Sequence, residues 1–422
     1  MHQILKQEIK YIIGILLIAL FAASCVEEIP LQTESFESVL VIEATITNET
    51  KQQEVLLSRS YMFDSIPVKE TNATVKVTDD AMNTYTFTEA EPGIYKSQIA
   101  FAAQSNRNYN LSVVTSNGQE YGSSQMQLTQ PTVIDNLYVE RDFNENGIEG
   151  VSVYVDSYDP TGNSKYYRHE YEETYKIIAP FYSPFEMISN DVEFPILVED
   201  QPTFQSIQEM VDFVVTTQLR PEQERICYKT IKSNEIITTN SVEFLEDRLD
   251  KYRVRFIGRN NTEIMHRYSI LVRQYVQSLE AHTFYETLKT QSISESVFSE
   301  TQPGFLQGNV FSVNDSNQKV IGFFEVSSFD AKRVFFNFVD LFPGEELPPY
   351  FITCDDFVEP APIAVDMLSG IWNSSPLADA VKYRGYQYFD DQGELYPYRL
   401  VVNICGDCTF LGDNEEPDFW VD

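Results

Sequence analysis

Thr74-Val75-Lys76-Val77, Tyr85 with Phe87, Glu91-Pro92-Gly93, Tyr109 with Leu111 and Val113, and Asn117-Gly118 before Tyr121 make up the stretch that decides the fold. Apolar and polar residues alternate through it, as they do in a strand with one buried face, and each alternation ends in residues that turn the chain. Asp79-Asp80 closes the first run and Pro92-Gly93 the second. Asn117-Gly118 is a strong hairpin signal, because the tight turn between two strands needs residues that accept positive φ. Working backwards, Val39-Leu40-Val41-Ile42 and Val55-Leu56-Leu57 add two more strands. The spacing predicts a small antiparallel β-sandwich over residues 39–130, of about seven strands, in the manner of an immunoglobulin-like or transthyretin-like module.

Past Gln130-Pro131 the pattern resumes, and a larger β-rich C-terminal domain is expected over residues 131–422. Its strands are read at Val133-Ile134, Leu137 to Val139, Val151 to Val155, Tyr166 to Glu170, Tyr252 to Phe256 and Tyr268 to Val272, and then at Val320 to Val326 and Val334 to Phe338. Two short helices interrupt them. Ser278 is a good cap for Leu279, Ala281, Phe284, Tyr285 and Leu288, which recur at helical spacing to about Thr290, and a shorter helix covers Ile207 to Phe213. The fold class is therefore mainly β, a β-rich α+β chain with one or two short helices. A hydrophobic share of 43% with 25 Tyr and 29 Phe supports a folded, strand-rich body.

At the other end, Lys6 and Lys10 precede an apolar run from Tyr11 to Phe21 that tapers into Ala22-Ala23-Ser24 before Cys25. That pattern is a signal peptide over residues 1–24, too short to span a bilayer as a helix. Small residues before a cysteine suit a lipoprotein signal peptidase, so Cys25 is expected to carry the lipid anchor, with several acyl chains holding the protein stably to a membrane. Residues 25–38 then form a lipidated tether. Its Glu27 and Glu28 resemble the acidic export signal that follows the lipidated cysteine in surface lipoproteins of Bacteroidota, which would imply the cell surface, and otherwise read as part of a solvated linker on the periplasmic face. A net charge of −34 makes nucleic acid a poor partner, since such a field repels phosphate.

Four cysteines remain after Cys25, namely Cys227, Cys354, Cys405 and Cys408. In an exported chain disulfides are the default, and two bridges are expected, with three connectivities open. A zinc site would want a second close pair beside Cys405-Gly406-Asp407-Cys408, and a thioredoxin-like motif would want a helix after it; neither is read here. His169, His266 and His282 sit in separate segments, without a second histidine at metal-ligand spacing. His169-Glu170 lacks the histidine that a zincin helix requires, so strand packing is its expected role. Asp142-Phe143-Asn144-Glu145-Asn146-Gly147 has the glycine of a calcium loop, but Val153 stands where the bidentate acid belongs, and a polar hairpin loop is expected. No nucleophile elbow, P-loop or dinucleotide glycine pattern occurs, so no catalytic residue, metal or cofactor is assigned. A carboxylate pair among the 64 acidic residues is recognised only by its separation in space.

Several phrases together resemble the domain-of-unknown-function 4249 family, lipoproteins of Bacteroidota. They are Tyr166-Tyr167-Arg168 after Asp159-Pro160-Thr161-Gly162-Asn163, Gln277-Ser278-Leu279 entering the aromatic helix, Gly308-Asn309-Val310, Gly322-Phe323-Phe324, and the ending Cys405-Gly406-Asp407-Cys408 with Gly412 and Pro417-Asp418-Phe419-Trp420. The resemblance implies an N-terminal β-sandwich, a lipid anchor in the outer membrane and association with a TonB-dependent receptor; it supplies no catalytic residue. The expected function is a non-enzymatic accessory lipoprotein of nutrient uptake, binding a peptide or glycan. An extracellular polymer hydrolase and a structural envelope or adhesion protein are the alternatives.

Overall fold

The computed structural model describes residues 38–60, 68–293 and 306–422. The leader, Cys25, Glu27, Glu28 and nearly all of the tether lie outside the described residues. The N-terminal half is built from β1 (Leu40–Thr47), β2 (Glu54–Arg59), β3 (Val68–Lys69), β4 (Thr74–Asp79), β5 (Thr84–Glu91), β6 (Ile94–Ser97), β7 (Asn108–Val114), β8 (Glu120–Ser123) and β9 (Met126–Gln127). Alternation does in space what it does in sequence. Val75 and Val77 face inward while Lys76 faces out, and Tyr109, Leu111 and Val113 are buried in β7. The Asn117-Gly118 turn joins β7 to β8, with Gly118 at φ +83° donating its N–H to the Thr115 carbonyl.

After a short connection come β10 (Ile134–Phe143), β11 (Glu149–Asp159), β12 (Tyr166–Ile178), β13 (Phe185–Ser189), α1 (Ile207–Val214), β14 (Val215–Leu219), β15 (Ile226–Lys232), β16 (Ile237–Asn240), β17 (Asp247–Gly258) and β18 (Arg267–Gln277). The chain ends through α2 (Leu279–Ile293), β19 (Val310–Ser312), β20 (Val320–Asn337), α3 (Phe338–Leu341), β21 (Ala364–Val365), β22 (Trp372–Ser374), α4 (Pro376–Tyr383), β23 (Tyr386–Asp390), β24 (Arg399–Val402) and α5 (Asn403–Gly406). The protein is mainly β, with several sheets and few short helices. Ser278 caps α2 as read, its hydroxyl accepting from the Ala281 N–H at 3.1 Å, and Ser206 does the same for α1 through Glu209. The Asp142–Gly147 segment is the hairpin loop between β10 and β11, with Asn144 Oδ1 accepting from the Asn146 and Ile148 amides.

One sheet runs through both halves in the order β15-β12-β18-β20-β1-β2-β6-β5-β4-β7-β8-β19. Its hinge is β20. The sequence reads Val320–Val326 and Val334–Phe338 as two strands, but the structure has one strand of 18 residues, and Phe338 begins α3 instead. The first part of β20 pairs parallel to β1, from Leu40 opposite Val320 to Thr47 opposite Ser327. The second pairs antiparallel to β18, from Val276 opposite Ser328 to Arg267 opposite Asn337. The polar stretch between them looks like a loop in sequence. It stays extended because distant groups bind its backbone and side chains: Thr129 Oγ1 accepts from Ser328 N, Asn48 Oδ1 from Phe329 N, and Asp330 from Ile134 N.

Two main cores result. The first lies inside the N-terminal strands and is closed by Phe323, Phe324 and the α2 residues Ala281 and Phe284. The second lies between β12–β18 and the separate sheet β10-β11-β17, where Val151, Val153 and Val155 meet Tyr171, Ile270 and Val272. Two disulfides close the C-terminal segment: Cys227 of β15 pairs with Cys408, and Cys354 pairs with Cys405. Cys405 and Cys408, close in sequence, therefore reach different partners, and a short helical turn, α5, carries the first of them. The acidic tail is held at Trp420, whose ring packs edge-on against Tyr228 and Phe335.

Candidate functional site

Strand alternation sorts β12 into two faces. Tyr167, His169, Tyr171 and Tyr175 are buried, on the face turned to β11 and β17, while Tyr166, Arg168 and Glu170 point to the opposite face. His169 is fully buried, as strand packing requires, with Nε2 at 3.2 Å from Gln274 Oε1 and its ring on Tyr252. Burial pushes its pKa down to about 4, since the imidazolium would lose its hydration there. His266 and His282 stand apart from it, and among the described residues no three His, Cys, Asp or Glu side chains gather as a metal site.

The face that carries Arg168 continues across β18 through Tyr275 and Gln277, across β20 through Glu325 and Ser327, and across β1 through Glu43, Thr45 and Thr47. α2 lies on part of it and supplies Tyr285 and Leu288. Between these walls, at the seam of the two halves, is a cleft of about 470 Å³. Arg168 is its centre. The guanidinium packs against the rings of Tyr275 and Tyr285 at 4.3 and 4.7 Å, pairs with Glu170, and reaches Glu325 at 3.4 Å. Tyr275 donates its hydroxyl to Glu170 at 3.1 Å, and Ser327 donates to Glu325. Arg168 is 7% exposed and Glu325 1%, so this is a buried ion pair held by hydrogen bonds. Burial works against the Arg168 charge, but Tyr285, Glu325 and Glu170 outweigh it and hold the guanidinium protonated well above its ordinary range.

Glu43 differs from its neighbours. It opens to solvent in the cleft, yet has no hydrogen-bond or ion-pair partner among the described residues. Crowding by the cleft walls raises its pKa above the ordinary carboxylate range; Lys69 and Arg168 pull it partly back, and Glu170 adds to the rise. Lys51, the other cation on the cleft wall, is engaged by Glu49 at 2.8 Å and lies over the Phe329 ring.

Glycines allow β1, β20 and the segment before β19 to meet behind this cleft. Gly322 sits at φ +139°, and a Cβ there would lie 2.0 Å from the Ile42 carbonyl oxygen. A Cβ on Gly308 would lie 1.7 Å from the Gly322 carbonyl oxygen, and Asn309 binds both the N–H and the C=O of Phe324. Thus Tyr166-Tyr167-Arg168, Gln277-Ser278-Leu279, Gly308-Asn309-Val310 and Gly322-Phe323-Phe324, scattered in sequence, converge at one seam. The family model described as domain of unknown function (DUF4249) matches residues 26–333. The chain belongs to the DUF4249 family. No curated protein matches it. The DUF4249 match contains every cleft residue named above, whereas Cys354, Cys405, Cys408 and the closing Trp420 phrase lie beyond it.

Of the residues singled out in sequence, the structure brings Arg168 and Glu170 into the cleft and places the four cysteines in two bridges at the far side of the second core. Glu43, Tyr275, Tyr285 and Glu325 were not singled out as site residues. Glu325 carried a readable signal, a single charge inside the apolar run Val320 to Val326; Glu43, in an alternating strand, looks like any solvent-facing residue. No helix among the described residues is long and apolar enough to cross a membrane.

Proposed function

We propose that this protein is a non-enzymatic, lipid-anchored binding component of an outer-membrane nutrient uptake system, presenting a peptide or glycan to a TonB-dependent receptor. The observation that carries the reading is the seam cleft, whose volume falls within the range of small-ligand sites and whose walls combine aromatic faces with a few fixed polar groups. The leader and Cys25 support the anchor, and two disulfides suit an oxidising compartment outside the cytoplasm. The test is a native pull-down of the tagged protein from its own membrane in mild detergent, with mass spectrometry of partners and of Cys25. A stoichiometric TonB-dependent receptor and an acylated Cys25 are the expected result; an unmodified Cys25, or the lipidated protein alone, would refute the stable complex at the membrane.

A hydrolase is the second reading, and Glu43 and Glu170 favour it: two carboxylates face one cleft, Glu43 without a direct partner and Glu170 held by Arg168 and Tyr275. It requires turnover of a peptide or glycan polymer that both Glu43→Gln and Glu170→Gln abolish.

A further inference from the structure

We propose that the seam cleft receives a primary ammonium group, with Glu43 as its counter-ion and the Nε–H of Arg168 directed to a neighbouring oxygen of the same ligand. The inference rests on the reading of the cleft as a binding site and names the chemistry it selects. Four glutamates, Glu43, Glu54, Glu170 and Glu235, line the cleft against Lys51 and Arg168. Arg168 is engaged by Glu170 and Glu325, Lys51 by Glu49, and Glu54 pairs with Lys96 at 3.8 Å. The cleft therefore keeps an excess of negative charge at Glu43 and Glu235, neither of which has a direct ion pair among the described residues, and Lys69 and Arg168 offset Glu43 only in part. An anionic ligand would meet that excess directly. A cationic one would relieve it, and a carboxylate crowded by protein walls gains more from a counter-ion than one in open water.

A second observation points the same way. Arg168 Nε is buried and has no acceptor, and on the same sheet face both amide atoms of Gln277, a residue 3% exposed, also lack partners. Buried polar atoms are nearly always paired, so the unpaired Nε of Arg168, on the cleft wall, marks a place where a ligand or water completes the network. An ammonium with an oxygen on the adjacent carbons meets both needs. A free peptide amino terminus has that arrangement through its first carbonyl, and an amino sugar has it through its hydroxyls.

The probes are trialanine, its N-acetyl derivative and a glucosamine disaccharide, titrated calorimetrically at pH 7.5 into the full-length protein in mild detergent and into its Glu43→Gln and Glu43→Asp variants. Either free amine should bind at least tenfold more tightly than the acetylated peptide. Glu43→Gln should erase the difference with an unchanged melting temperature, and Glu43→Asp should keep part of it. Preference for trialanine or for the disaccharide identifies the source of the ammonium, and each supports the proposal. Equal binding of free and acetylated peptide would overturn the ammonium assignment while leaving the cleft as a binding site. Free-amine binding unaffected by Glu43→Gln, or no binding of any probe at millimolar concentration, would overturn the proposal itself.

Discussion

Replacing Arg168 by Met removes the charge at the seam while keeping most of the side chain's length, so it isolates the electrostatic role from packing. Glu325, 1% exposed, is then left with the Ser327 hydroxyl and no cation. Breaking one partner of a buried pair costs about 3–5 kcal/mol, because the remaining charge keeps its desolvation without its compensation. The lost contacts with Tyr275 and Tyr285 act in the same direction. Against a total stability of roughly 5–15 kcal/mol, this is a large fraction. Arg168→Met/Glu325→Leu removes both charges, and replacing a buried pair by apolar groups is often neutral. The double variant should therefore lie within about 1 kcal/mol of the parent, with a coupling energy of at least about 2 kcal/mol in magnitude. Urea unfolding followed by far-UV circular dichroism reads the whole cycle. A loss under about 1 kcal/mol for Arg168→Met, or a double variant no more stable than the single, would refute the account of Arg168 and Glu325 as an interdependent buried pair.

Three further outcomes are expected. Because the His169 pKa is depressed in the fold to about 4, its contribution to stability is complete above the unfolded value near 6.5 and lost as pH falls from there towards 4. The loss is on the order of 3 kcal/mol, and His169→Gln should remove that share of the slope of the stability-against-pH curve; His266 and His282, whose pKa values are also lowered, add to the slope in the same direction, and Glu43, Glu224 and Glu263, whose pKa values are raised, oppose it. Cys227 and Cys408 are 181 residues apart, so replacing both by Ser should destabilise the protein by about 2–5 kcal/mol, and non-reducing peptide mapping of the parent should recover both pairs. Gly322→Ala, which drives a methyl into the Ile42 carbonyl, should cost more than about 3 kcal/mol or give no soluble protein; Gly118→Ala, with open space around it, should cost only about 1 kcal/mol in a thermal melt.

Local elements were legible because each is written in a period of two or of 3.6. The β4, β5 and β7 runs, the Asn117-Gly118 hairpin and the Ser278-capped α2 all follow from neighbours in sequence. What required the structure is non-local. Nothing in Leu40 to Thr47 announces that its partner is Val320 to Ser327, some 280 residues later, and nothing in Ser327 to Arg333 shows that contacts with distant Thr129, Asn48 and Ile134 keep that polar stretch extended. The disulfide pairing was open for the same reason, since spacing does not say that Cys405 and Cys408 face different sides. Glu325 was readable as a misfit, a charge inside an apolar run, whereas Arg168 lies among the other charges of β12, and only the sheet order makes them one pair.

That pair is not accounted for by stability. A buried ion pair stabilises a fold no better than apolar side chains of the same volume, and the strands on either side already bury enough Tyr, Phe and Val to close this seam. What the ion pair does, and apolar residues would not, is fix two tyrosine rings about one guanidinium while engaging a cation that would otherwise be freer to neutralise Glu43. The Arg168→Met/Glu325→Leu variant separates the two roles. If it folds as stably as the parent yet loses preference for a free amine, the charges at the seam serve recognition; if it keeps that preference, Glu43 alone defines the site and the Arg168 donor contributes nothing to it.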